Sequence, residues 1–282
     1  MTLNAAILVY CAKKFQGLYS IAALAGKYIS YWIRASNGKG HGTHSPFVFD
    51  FIRNVLNDKR EFYPYRDIEL LRSVLLKDRT FLEVEDYGAG SARGGAGRRC
   101  VADIARYGAK SPKYAQLLFR IAHYYQPGTI IEMGTSLGIS TAYLASANKS
   151  TKVITIEGSS AVADRAEKYF NGLSLGNIEL KRGRFDQVLP LVLLEDPYPG
   201  MVFVDGNHRK DPTLEYFTLL MNGMAPSGVI VFDDIHWSRE MEEAWSVIRA
   251  DSRVMLTIDL FFMGLVFLRP DFKIKQDFLI RF

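Results

Sequence analysis

From residue 129 onward, short apolar runs alternate with longer stretches in which apolar residues recur every three or four positions. The runs Thr129–Met133, Val153–Ile156, Ile178–Leu180, Met201–Asp205 and Gly228–Asp234 are short enough for strands, and Thr129–Met133 reads as a buried parallel one. Helical spacing fills the gaps, through Ile139 to Ala145, Ala161 to Leu173, Val188 to Leu194 and Thr213 to Met221. A further helix, Glu240 to Arg249, carries Met241, Ala244, Trp245 and Ile248 on one face. Beyond it, Val254 to Ile258 and Gly264 to Leu268 lie close enough for a hairpin, so the last strand enters antiparallel. The pattern predicts an α/β fold: a doubly wound, mostly parallel seven-stranded sheet with an antiparallel last strand and its ligands at the carboxyl ends of the strands.

The preceding 110 residues read differently. Ile68, Leu71 and Leu75 mark a helix over Glu61 to Leu76, and Ser111-Pro112-Lys113 opens another that runs into the Thr129 strand. In His41-Gly42-Thr43-His44-Ser45-Pro46, two histidines three apart have no nearby Asp, Glu or Cys to complete a metal site. The stretch reads as a connector with Ser45 as N-cap and Pro46 at the first helical position, and a lid over a substrate is the functional alternative. Val84-Glu85-Asp86-Tyr87-Gly88-Ala89-Gly90-Ser91 mimics a strand and glycine loop, but no second strand ending in an acid follows. Arg93, Arg98 and Arg99 read instead as a flexible basic loop. The expected division is a helical extension over 1–110, serving as substrate lid, assembly or membrane-contact region, and a ligand-binding domain over 111–282.

Charge sharpens this division. The formal net charge of +5 lies wholly within residues 1–49, where Lys13, Lys14, Lys27, Arg34 and Lys39 face no acid, leaving 30 basic and 30 acidic residues elsewhere. The same segment is aromatic and apolar (Tyr10, Tyr19, Tyr28, Tyr31, Trp32), yet lysines interrupt it before any window is long enough to span a bilayer. Packing on the domain or on a second subunit, and peripheral membrane contact, are the open readings; nucleic acid is disfavoured. The two cysteines, Cys11 and Cys100, form neither a disulfide framework nor a zinc motif, which points to reducing cytoplasm, with the membrane surface as a variant.

The Thr129 run breaks into Gly134, and Gly138 then opens a helix, a strand, glycine loop and helix N-terminus suited to a polar, partly anionic ligand. The spacing G-x-x-x-G differs from the dinucleotide fingerprint G-x-G-x-x-G. Together with Glu132 at the strand end, it resembles the first motif of class I S-adenosylmethionine-dependent methyltransferases, which share the Rossmann-like layout and the antiparallel ending. The next strand closes in Glu157-Gly158, where such folds grip a ribose diol. The resemblance implies S-adenosylmethionine held by Glu132, Gly134, Thr135, Ser136, Gly138, Ser140, Glu157, Gly158, Phe185 and Asp205.

Asp205, Asp233 and Asp234 fall at the ends of neighbouring strands, and unpaired converging carboxylates repel, so they need a cation, a shared proton or basic partners. Oxygen ligands suit Mg²⁺ or Ca²⁺. Asp205-Gly206-Asn207-His208 followed by Asp233-Asp234 resembles the metal-dependent O-methyltransferases of catechol, caffeoyl-coenzyme A and macrolide or sugar type. That resemblance implies a divalent metal on Asp205, Asp233 and Asp234, although Asp-Asp replaces the catechol-type Asp-Asn. Alternatively, Asp233 and Asp234 cap the following helix while Asp205 only neighbours the sulfonium. His208 stands where catechol-type enzymes carry a catalytic lysine, so His208 and Asp205 are the catalytic candidates, with His236 and Lys210 behind them; a histidine in a loop equally serves as a surface hydrogen-bonding group. The expected activity is methylation of a small-molecule hydroxyl. The rival is a non-catalytic Rossmann-like protein binding a partner or membrane through its basic tail.

Overall fold

The computed structural model describes residues 19–36, 38–40, 44–85 and 97–282. Helices α1 (Ile21–Arg34), α2 (Pro46–Phe51, continuing into a π-helical turn Ile52–Leu56) and α3 (Tyr63–Leu75) are followed by a hairpin, β1 (Phe81–Val84) and β2 (Gly97–Cys100). Helices α4 (Val101–Gly108) and α5 (Pro112–Tyr125) then lead into the alternating region. There β3 (Thr129–Met133), α6 (Ile139–Ala147), β4 (Lys152–Glu157), α7 (Ser160–Gly172), β5 (Ile178–Arg182), α8 (Phe185–Glu195), β6 (Met201–Val204), α9 (Lys210–Gly223), β7 (Val229–Asp233) and α10 (Arg239–Ala250) succeed one another. The chain ends with β8 (Leu256–Asp259), β9 (Met263–Phe267) and β10 (Gln276–Leu279).

The sheet order is β10-β8-β9-β7-β6-β3-β4-β5. Strand β9 enters antiparallel between β7 and β8, as the hairpin spacing predicts. The sheet has eight strands rather than the seven expected, because β10 adds to the edge parallel to β8. It is four residues long, begins with the polar pair Gln276 and Asp277 and is at most half-buried, so it lacks the continuous apolar run of an interior strand. Arg98 and Arg99 are also placed differently from the loop expected: both lie in β2, paired with Glu83 and Leu82 of β1. The Arg98 guanidinium stands over the Phe81 ring. Arg93, the Gly88 and Gly90 turn and His41 lie outside the described residues. Ser45 and Pro46 take their expected N-cap and first-turn positions, although the Ser45 side chain makes no capping bond.

Each face of the sheet has its own core. One holds Val48, Phe51, Phe119, Ala142 and Tyr143 against Ile130 and Phe203. The other holds Leu189, Phe217, Leu220 and Trp245 against Ile131, Val202 and Phe232. The elements before residue 110 therefore share a core with the sheet. Helix α1 packs through Leu24 and Tyr31 onto Trp237 and Phe261, and the Tyr31 hydroxyl donates to the Ile280 carbonyl. Ser36 and Arg281 extend the edge next to β10 with backbone hydrogen bonds of 2.8 and 3.1 Å. No helix among the described residues is long and apolar enough to cross a membrane.

A charged network fastens α1 to the domain. Glu242 accepts from Tyr19 at 2.5 Å and from Lys27 at 2.9 Å. His236 lies between Glu242 (3.1 Å) and Asp259 (2.7 Å), and the Trp245 indole N–H donates to the same Asp259 oxygen. Burial opposes the imidazolium, but the two carboxylates outweigh it and raise the His236 pKa from 6.5 to about 9. A raised basic group stabilises the fold fully below its unfolded pKa and loses that contribution as pH climbs through the folded value. Denaturant unfolding should therefore show stability falling by about 2–3 kcal/mol between pH 6.5 and 9 from this group, a decline that His236→Gln should abolish.

Candidate active site

The loop after β3 is shaped by two glycines. Gly134 has φ 110°, and a Cβ there would stand 2.2 Å from the Asp205 carbonyl oxygen, so only glycine lets the β3 and β6 loops meet. Gly138 has φ 81° at the N-cap of α6, with the Phe170 ring filling the space a Cβ would take. Ser136 between them is also left-handed. The N–H groups of Gly134 and Thr135 both donate to the Ile156 carbonyl, which ties the loop to the end of β4.

At that end Glu157 accepts the Ser136 N–H (2.8 Å) and the Ser159 N–H (2.9 Å), one on each carboxylate oxygen. Each oxygen has a second lone pair, so the carboxylate is oriented and still able to accept from a ligand hydroxyl. It borders a cleft of about 380 Å³. Of the residues named from the sequence, Gly134, Ser136, Glu157, Gly158, Phe185 and Asp205 line this cleft, together with His208. Glu132, Thr135, Gly138 and Ser140 do not: Thr135 and Gly138 belong to the loop itself, and Glu132 and Ser140 are buried on either side of it in β3 and α6. Glu132 is fully buried there, accepting from the Thr141 and Thr155 hydroxyls on Oε2, while Oε1 has no hydrogen-bond partner. Burial outweighs the hydroxyl donors and raises its pKa to about 7.

Across the cleft, Asp205, His208 and Asp233 each offer a ligand atom within 4.8 Å of the others. Asp205 Oδ1 is 3.5 Å from His208 Nε2. Asp234, although buried, is not in this group; it has φ 55° and donates its N–H to the Phe262 carbonyl. Sequence reasoning missed Lys110, from the α4–α5 loop. Its Nζ donates to Asp233 Oδ2 and lies 3.4 Å from Asp205 Oδ1, with 6% of the residue exposed. Burial and the neighbouring Asp234 carboxylate push the Asp233 pKa well up, while Lys110 pulls it back. A divalent ion held at roughly 2.0–2.6 Å from these oxygens would share its space with that ammonium, so the donor set does not fit a metal as it stands. His236 and Lys210 are engaged elsewhere, on Asp259 and Glu242 and on Glu243.

Residues 131–235, from inside β3 to just past the acidic pair, match a family model described as a methyltransferase domain. This segment is therefore similar to methyltransferase domains. The match agrees with the resemblance to methyltransferases drawn from the glycine loop and Glu157. A catechol O-methyltransferase from Niastella koreensis is 30% identical over 128 residues, which are 44% of this chain; the match spans 57% of that protein's length. Among solved structures, the S-adenosylhomocysteine-bound methyltransferase PaMTH1 of Podospora anserina is similar with TM-score 0.56 and 13% identity, over 79% of this chain and 96% of that one. An O-methyltransferase from Bacillus cereus in complex with S-adenosylhomocysteine gives 0.52 and 18%, over 75% and 93%. At these identities the structural neighbours show a shared fold.

Proposed function

We propose that this protein is an S-adenosylmethionine-dependent O-methyltransferase acting on a small-molecule hydroxyl. The observation that carries the reading is one cleft, bordered on one side by the Glu157 carboxylate that the loop amides orient and on the other by Asp205 and His208. The donor set fits the cofactor: a carboxylate for a ribose diol, the Phe185 ring as an apolar wall, and Asp205 acidic where a sulfonium and ammonium would lie. S-adenosylmethionine supplies a methyl group on a sulfonium whose departure as a thioether requires no proton. The chain must therefore place the acceptor and remove its hydroxyl proton. His208 Nε2 is positioned to take that proton, and Asp205 Oδ1 beside it stabilises the resulting imidazolium. This reading needs no metal, because the Lys110 ammonium already occupies the space beside the carboxylates that a metal would need.

The non-catalytic alternative finds no support in a cleft that keeps both its carboxylates and its histidine. Calorimetry tests the cofactor reading. S-adenosylhomocysteine should bind one per chain, and Glu157→Ala should weaken it at least about tenfold, or 1.4 kcal/mol. Unchanged affinity in the variant, or no binding by the parent protein, would overturn the assignment.

A further inference from the structure

We propose that Lys110 is the resident cation of the acidic corner, standing where the resemblance to metal-dependent O-methyltransferases would put a divalent ion, so that this methyltransferase positions its acceptor without a metal. The inference rests on the functional reading above and deepens it. The corner holds Asp205, Asp233 and His208, with the Asp234 carboxylate acting on Asp233 from beside it, and carboxylates gathered at buried strand ends require compensation. Lys110 provides it from outside the sheet, with its Nζ bonded to Asp233 and 3.4 Å from Asp205.

The placement is not that of a surface lysine folding over a convenient acid. Lys110 is 6% and Asp233 2% exposed, and a side chain with this much rotamer freedom stays buried only with a fixed partner. Its backbone is held between two helices, α4 ending at Gly108 and α5 beginning at Pro112. A divalent ion bound by Asp205 and Asp233 would meet an ammonium a few ångströms away, with both cations competing for the same oxygens. Lys110 is thus a positioning residue: it orients Asp205, which in turn faces His208.

If so, removing the ammonium should create a metal site. In Mn²⁺ titrations followed by electron paramagnetic resonance, the parent protein should take up no stoichiometric Mn²⁺ at millimolar concentration. EDTA should leave its S-adenosylhomocysteine affinity and turnover unchanged. Lys110→Met should bind one Mn²⁺ at least about tenfold more tightly than the parent, and Asp233→Asn added to it should abolish the gain. Lys110→Arg, which keeps the charge, should resemble the parent. One Mn²⁺ bound by the parent and lost in Asp233→Asn would overturn the proposal. A Lys110→Met protein that binds S-adenosylhomocysteine, and is therefore folded, yet binds Mn²⁺ no better would overturn it too. Should that variant fail to fold, the parent and Lys110→Arg titrations decide alone. Absent S-adenosylhomocysteine binding by the parent would instead defeat the functional reading, and the Mn²⁺ titrations would still report on the corner.

Discussion

His208→Ala should lower methyl-transfer turnover by roughly 10²–10⁴, the usual worth of a positioned general base, while S-adenosylhomocysteine affinity stays within about twofold. The expectation follows from where the imidazole sits: at the cleft, 3.5 Å from Asp205 Oδ1, and not among the groups that hold the loop. Turnover would be measured as S-adenosylhomocysteine release with a panel of phenolic and sugar hydroxyls as acceptors. His208→Gln separates shape from proton transfer, since it fills similar space without a basic nitrogen and should be nearly as slow. Raising the pH should partly restore both variants, because an acceptor that ionises in solution no longer needs the base. Full activity in either would remove His208 from the chemistry and leave Asp205 as the remaining candidate.

The second large effect concerns Glu132, whose carboxyl lies behind the glycine loop. It is completely buried, the Thr141 and Thr155 hydroxyls donate to one oxygen, and the other has no partner. Burial is the largest cause of its shift, reinforced by the Asp205 charge and opposed by the Ser140, Thr141 and Thr155 hydroxyls, and the pKa rises from 4.5 to about 7. Because an acid with a raised folded pKa holds its proton longer when folded, its stabilisation is complete below pH 4.5 and disappears as pH climbs through 7. About 3 kcal/mol should be lost across that window. Urea unfolding at successive pH values should show the decline, and Glu132→Gln, which cannot ionise, should remove it. Persistence of the slope in Glu132→Gln would place its origin in another group. The His236 decline occupies a higher window, so the two are separable on one stability profile.

How far the sequence could be read followed from the range of the forces involved. Apolar runs and helical spacing are local signals. They located the β3–β9 strands and the helices between them within a few residues, and the hairpin spacing foretold the antiparallel entry of β9. The glycine loop was legible because Gly134 and Gly138 occupy left-handed backbone where other residues are strained, and Glu157 because a strand-ending acid at that distance faces the loop. Strand β10 and the β1–β2 hairpin were not legible. Each consists of four-residue strands that bury too little apolar surface to mark their own segments.

The candidate site divides in the same way. Position along the strands was enough to bring Asp205 and Asp233 to one edge, and charge repulsion called for a cation, a shared proton or a basic partner there. Which cation answers that need was decided by a contact across 123 residues of chain, between Lys110 and Asp233. Nothing in Gly108-Ala109-Lys110-Ser111 marks this lysine out. Likewise, the sequence placed Glu132 and Glu157 at equivalent strand ends, yet tertiary packing turned Glu157 toward the cleft and sealed Glu132 beneath the loop among threonine hydroxyls. Backbone conformation and burial pattern are written in neighbouring residues, so the chain alone determined the sheet and its loops. The partner a buried charge receives depends on which elements fold over it, and only the assembled structure decided that.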